Sequence, residues 1–291
     1  AKSVIKLQNP DKVNEYLATA KTRPSLLLKG EQPRLIDEWQ DAPMLWDAVR
    51  TAVDETGGIP GQYILTGSNT VDKSQIRHTG TGRITRMKMY PMSLWESLES
   101  SGEVSIHELF YNPNYDIDGA TSKLDIPELL YVACRGGWPA TLQMKPKAAM
   151  LIAKDYVNSV CEYDISAVDN RQRNPKIARQ ILRSYARNIS TLAKKTSLLA
   201  DVTASEDITL TMNTYDDYIS TLERLFVIQD IDAWCPAIRS KTSLRSAPKR
   251  CFVDPSIAVA AMNISVEEME TQLKTFGFIF EQMCIRDLKI Y

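Results

Sequence analysis

What this sequence lacks narrows it first. Its five cysteines, Cys134, Cys161, Cys235, Cys251 and Cys284, include no CxxC pair. An odd, scattered set indicates neither a disulfide framework nor a thiolate zinc site. Histidine is scarce: His78 and His107 are the only two, and neither has a His or Cys at ligand spacing, so solvated or capping roles suit them. No apolar run approaches the ~18 residues a membrane span needs, and the start, AKSVIKLQNP, has no signal-peptide apolar core. A cytoplasmic protein without membrane contact is expected. An excess of one charge is missing too. With 35 basic against 36 acidic residues, the chain does not coat nucleic acid uniformly, and only local patches can carry an electrostatic argument.

What is present suffices for sizeable cores. At 291 residues and 44% hydrophobic, two or more domains are expected. The start without Met and the end in the apolar stretch FGFIFEQMCIRDLKIY suggest a fragment. SVIKLQ, SLLLKG and PRLIDEW are short apolar runs. A helical pattern follows, with Met44, Leu45, Ala48, Val49 and Val53 three or four residues apart, and it stops at Gly57-Gly58. GQYILTGSNT then reads as a buried strand entering a polar turn. Strand, helix, strand in this order predicts a βαβ unit of an α/β fold with a parallel sheet, where ligands lie beyond the carboxyl ends of the strands.

Asp37 and Glu38 fall at such an end. A strand ending in Asp-Glu meets the needs of magnesium-nucleotide hydrolysis, one carboxylate for the metal and one to orient and deprotonate water. Two solvated acids at a surface turn would read the same on the dipeptide alone. The neighbouring strand adds Thr66, Ser68 and Asn69, polar groups able to bond a γ-phosphate or the lytic water, although a Thr-Gly-Ser turn is also common. Arg83, in GTGR, follows two glycines and could stabilise charge on a transferred phosphoryl group, or could pair with a surface acid. A short strand and a Pro-Met-Ser helix cap are expected after it, and a polar loop from 102 to 126. Trp39 and Trp46 read as packing residues.

Further on, KAAMLIAKDYVNSVCEYDI, NPKIARQILRSYARNIS and MNTYDDYISTLERLF read as helices. A strand over 226–231 and a second at KRCFVDPSIA would close them, the order of a winged-helix domain. From Asn170 to Ala200 no acidic residue occurs. Arg179, Arg183 and Arg187 recur every four positions, which lines them on one helix face. Such a stripe suits a phosphate backbone, a solvated face, or a face docked on another domain. The basic loop Arg239 to Arg250 would be the wing. Tyr156, Tyr185 and Tyr218 are core candidates before they are stacking ones.

Taken together, LIDEWQ, a helix, YILTGSN, GTGRITRMKMYPMSLWE and RGGWPA resemble the prokaryotic AAA-like P-loop ATPases that carry a C-terminal DUF4143 domain. FVDPSIAVAAM and FGFIFEQMCIRDL are similar to later parts of the same family. The resemblance implies an ATPase core over 1–130, a hinge at 131–145 containing CRGGWP, a winged-helix-like region over 146–265, and the start of a nuclease-like module over 266–291. It implies that Asp37 and Glu38 are the Walker B pair, with Asp37 on Mg²⁺, Ser68 or Thr66 a γ-phosphate sensor, and Arg83 an arginine sensor or finger. ATP and Mg²⁺ are the implied cofactors. One departure is decisive: no GxxxxGK[ST] element occurs, and GSNTVDKS (Gly67 to Ser74) puts Asp72 where its second glycine belongs. A chain beginning just after the P-loop fits this, and the chain as written should bind ATP poorly. Glu281 alone cannot support nuclease chemistry. The alternative is a DNA-binding or protein-interaction module on an α/β scaffold. Expected partners are nucleotide and, for the alternative, DNA, with homo-oligomerisation left open.

Overall fold

Three short apolar segments, Ser3–Lys6 (β1), Arg34–Asp37 (β2) and Tyr63–Thr66 (β3), pair in parallel in the order β1-β2-β3. The register sets Ile5 beside Ile36, Ile36 beside Leu65, and Asp37 beside Thr66. Parallel neighbours need crossover connections. Val13–Thr22 (α1) and a 3₁₀ turn over Pro24–Leu26 supply the first, and Met44–Glu55 (α2) the second. Helix α2 buries Leu45, Val49 and Val53, each four residues apart, with Ile5, Ile36 and Ala20. It stops where Gly57 and Gly58 take φ of 74° and 78° and the Gly58 N–H bonds the Val53 carbonyl at 2.9 Å, a left-handed termination that glycine allows without steric cost. The computed structural model describes residues 1–68, 78–204, 208–236 and 246–291. Asn69, Asp72 and the loop from 239 to 245 lie outside them.

The chain divides into two compact units, Ala1–Lys88 and Met89–Tyr291, whereas the sequence suggested a division at 131–145. The second unit is mostly helical among the described residues: α3 (Ile106–Tyr111), α4 (Ile126–Arg135), α5 (Pro146–Ser159), α6 (Ile165–Ala167), α7 (Pro175–Arg187), α8 (Lys195–Thr203), α9 (Met212–Arg224), α10 (Pro255–Met262), α11 (Val266–Thr271) and α12 (Leu273–Ile290). A π-turn over Val160–Asp164 joins α5 to α6. Helix α10 is the hub, packed on α4, α5, α7 and α12. Its buried run Ile257, Ala258, Val259 is small enough to let neighbours close in from several sides. On α7, Ile181, Leu182 and Tyr185 are fully buried, each worth roughly 1.5–3 kcal/mol relative to exposure.

The segment expected as a hinge is instead among the most tightly held in this unit. Asp254 and Arg286 are buried, at 0% and 2% side-chain exposure, and paired at 2.9 Å. The same Asp254 carboxylate accepts from the Gly137 N–H at 3.0 Å, and from the Ser256 N–H and hydroxyl at 2.9 and 2.5 Å. The Trp138 indole donates to Ser256 at 2.8 Å, and Arg135 forks onto Glu99 at 2.6 and 2.7 Å. A Cβ on Gly137 would run into the Met92 backbone. Here Gly137 answers a need for close approach, and Gly136 both that need and a φ of 79° where α4 ends.

Other local expectations shift for identifiable reasons. No strand follows Arg83 among the described residues, and the Ser93 cap, which exchanges hydrogen bonds with Glu96, opens a single turn that Leu98 ends at φ 64°. The polar loop holds the short α3. Helix α4 carries a full capping box, Asp125 with Glu128, and Pro127 in its first turn, a start signal readable in DIPELL that the bend at Gly136-Gly137 overshadowed. The strand pair expected after α9 meets through isolated antiparallel bridges, Ile228 with Phe252 and Ile231 with Lys249.

Candidate active site

On a regular strand Asp37 and Glu38 would point to opposite faces. The alternation breaks at Glu38, which has φ 57° and ψ 43°, a left-handed conformation uncommon for a residue with a Cβ. Both carboxylates are thereby engaged at the carboxyl end of β3. The Thr66 hydroxyl donates to Asp37 at 2.8 Å and the Ser68 hydroxyl to Glu38 at 3.3 Å. The parallel register makes the first of these contacts unavoidable, since Thr66 lies beside Asp37. Four of the five expected active-site residues therefore meet in one place.

Gln40 completes the cluster, and sequence reasoning passed it over. Its amide donates to Glu38 and, at 3.4 Å, to Ser68. Its carbonyl oxygen is buried with no hydrogen-bond partner among the described residues. Gly67 leaves room for that oxygen, and a Cβ there would push the end of the Gln40 side chain aside. The available signal was the spacing of Gln40 two residues beyond Glu38, across a turn. Trp39 stacks on Trp46 with ring centroids 5.1 Å apart, and Arg86 lies over the Trp46 ring at 4.9 Å. The Trp46 indole donates to the His78 carbonyl at 2.9 Å. Both tryptophans are packing residues.

Arg83 takes the alternative course. Its guanidinium donates to Asp54 at 2.8 Å and stays 47% exposed. Asp54 lies in the last turn of α2, and no described hydrogen bond or ion pair joins Arg83 to Asp37 or Glu38. Its hydrogen bond keeps the Asp54 carboxyl below the usual range.

All charged groups that contact Asp37 and Glu38 through described hydrogen bonds are thus absent: the partners are hydroxyls and an amide. Hydroxyl donors hold a carboxylate in place without neutralising it. Among the described residues no group of three or more His, Cys, Asp or Glu side chains could hold a metal. One or two carboxylates with hydroxyl oxygens fit Mg²⁺, which keeps waters and binds substrate phosphates rather than filling an all-protein cage.

Residues 2–98 match the family model described as AAA domain. The first unit is thus similar to an AAA domain. This match, with the parallel sheet, supports an AAA-like P-loop ATPase relationship and ATP binding as its general property. Residues 126–268 match a model described as Domain of unknown function (DUF8612), a different family from the DUF4143 named by the sequence resemblance. No curated protein and no solved structure matches the chain. No helix among the described residues is long and apolar enough to cross a membrane.

The basic stripe is only partly free. Arg179 donates to Asn158 at 2.8 Å and to Glu162, and Arg187 pairs with Asp201 at 2.9 Å. Arg173 is buried between Asp169 and Asp217 at 2.8 and 3.0 Å. At the end of the expected wing, Arg250 is buried against Asp230 at 2.5 Å, where Tyr185 also donates to Asp230. Burial first, and then Asp230, push the Tyr185 hydroxyl pKa upward. Both arginines are structural. Glu281 pairs with Lys249.

Proposed function

We propose that this chain contributes the hydrolytic carboxylates of an ATP-binding, ATP-hydrolysing AAA-like protein. The observation that carries the reading is the uncompensated Asp37–Glu38 pair at the adjoining ends of β2 and β3, within the AAA-matched segment. Asp37, with Thr66, would hold Mg²⁺, which when bound supplies charge neutralisation at phosphoryl oxygens. Glu38 accepts the proton of the attacking water, and its left-handed backbone turns it out of the strand to do so. Ser68 and Gln40 hold the Glu38 carboxylate in one orientation. Thr66 or Ser68 serves as the γ-phosphate sensor. Arg83, tied at the far end of α2, enters as an arginine finger only by acting on a second copy of the chain, which links that role to homo-oligomerisation.

In the second unit, the helices α7, α8 and α9 followed by two bridged segments favour a winged-helix-like reading. The rival function, DNA binding on an α/β scaffold, rests on three arginines of which two are already held by acids. The nucleotide reading is tested on the protein expressed from the complete reading frame containing these residues. Asp37→Asn should remove the Mg²⁺ dependence of ATP binding while leaving the fold intact by circular dichroism. Unchanged Mg²⁺ dependence would exclude Asp37 as the metal ligand.

A further inference from the structure

Among the described residues the helical unit holds a concavity lined by basic side chains that the nucleotide reading does not use. A cavity of about 390 Å³ lies between α5, α7 and the end of α10. Four cations line it, Lys154, Lys176, Arg179 and Arg183, together with Asn158 and Gln180, and no acidic residue does. Lys154 and Arg183 make no hydrogen bond or ion pair with any described residue. Arg179 is held by Asn158 and by the Glu162 carboxylate, which fixes its orientation and offsets part of its charge, so Lys154 and Arg183 carry the uncountered charge of the site. Val157, Ala260 and Ala261 give the wall an apolar part. Concentrating like charges in a concave site focuses a positive potential, and a guanidinium with amide neighbours offers forked donors that match phosphoryl oxygens.

We propose that this cavity binds a compact phosphoryl-bearing anion of roughly pyrophosphate to triphosphate size. Its volume falls within the range of small-ligand sites, about 300–1,000 Å³. Two features favour a compact anion over a nucleic-acid duplex. The uncountered charge lies at Lys154 and Arg183 in one pocket, since Arg179 is paired with Glu162 and Arg187 beyond the pocket with Asp201. The adjoining cavity of about 260 Å³ shares Gln180 and Arg183 but includes the Asp201 carboxylate, which repels a continuing line of phosphates. The site lies wholly in Met89–Tyr291 and shares no residue with Asp37, Glu38, Thr66 or Ser68, so it stands or falls independently of the ATPase reading.

The test is calorimetric titration of sodium tripolyphosphate into the 291-residue chain. The expected result is saturable binding that weakens as salt rises, with affinity lowered about tenfold or more by Lys154→Glu and by Arg183→Glu. Arg183 is exposed, so its reversal should leave the thermal melt unchanged, and Arg183→Gln provides a milder second variant. Asp37→Asn should bind tripolyphosphate like the parent chain. Absence of binding up to about 10 mM, or equal binding by all variants, would overturn the proposal. So would loss of binding in Asp37→Asn, which would place the anion in the first unit. A duplex oligonucleotide whose binding needs Arg183 and is not displaced by tripolyphosphate would also overturn it, in favour of a nucleic-acid contact.

Discussion

The two units use the same acids in opposite ways. In the first, Asp37 and Glu38 are half-buried and bonded to Thr66, Ser68 and Gln40, all neutral. In the second, Asp254, Asp230, Glu99 and Asp169 are each gripped by a guanidinium with little exposure, from Arg286, Arg250, Arg135 and Arg173. A hydroxyl leaves the negative charge available to a cation or a proton in transit. A guanidinium cancels it and converts the carboxylate into a strut. On the proposed reading, the charge of the partner, more than the carboxylate itself, would separate a catalytic acid from a structural one.

The largest effect that would break this comparison is at the buried pair. Asp254→Ala should destabilise the second unit by about 3–5 kcal/mol, because it removes one of the two carboxylates that pair the buried Arg286, the other being Asp287 at 2.7 Å, and leaves the Gly137 and Ser256 donors without their acceptor. Urea unfolding read by tryptophan fluorescence checks it. A change as small as that of a surface substitution would mean that Asp254 is no strut.

Acid should sharpen the contrast next. Burial alone would raise the Glu99 pKa, but the Arg135 and Ser97 hydrogen bonds outweigh it and hold the group below its ordinary 4.5. Hydrogen bonding by Arg173 likewise lowers Asp169. A folded pKa below the unfolded value adds stability that is fully present above the unfolded pKa and is lost as pH falls through the folded one. The second unit should therefore keep its urea midpoint down to about pH 5 and lose it progressively below. Arg135→Met should flatten that dependence, and a parent-like acid profile in this variant would contradict the assignment.

Much of the first unit was legible because it obeys local rules. The three strands, the i, i+4 face of α2 and its Gly-Gly stop are written in residues close together in the chain. The catalytic candidates were legible for the same reason, since a parallel register carries Thr66 to Asp37. Gln40 was missed because its contacts depend on the left-handed turn at Glu38, a backbone choice that the residue type does not announce. In the second unit Arg250, at the end of the expected wing, looks like surface charge in sequence. Only the fold brings Asp230 to it, 20 residues away. Arg83 likewise met Asp54, 29 residues distant, and Gly136-Gly137 read as flexible where the structure needs their missing side chains.

Smaller effects belong to the first unit. Thr66→Val removes one neutral hydrogen bond to Asp37 and should cost about 0.5–1.5 kcal/mol. A larger loss would indicate that Asp37 is itself structural. Arg83→Ala breaks only an exposed ion pair, and such pairs contribute little in water. Its urea midpoint should match the parent's, and a clear shift would give Arg83 a packing role.

The most direct measurement is ATP turnover and urea stability of Glu38→Gln in the protein from the complete reading frame. The prediction is retained nucleotide, an unchanged unfolding midpoint and turnover reduced about 10²–10⁴-fold. Parent-level turnover, or a collapse of stability like that expected at Asp254, would show that Glu38 is not a catalytic carboxylate.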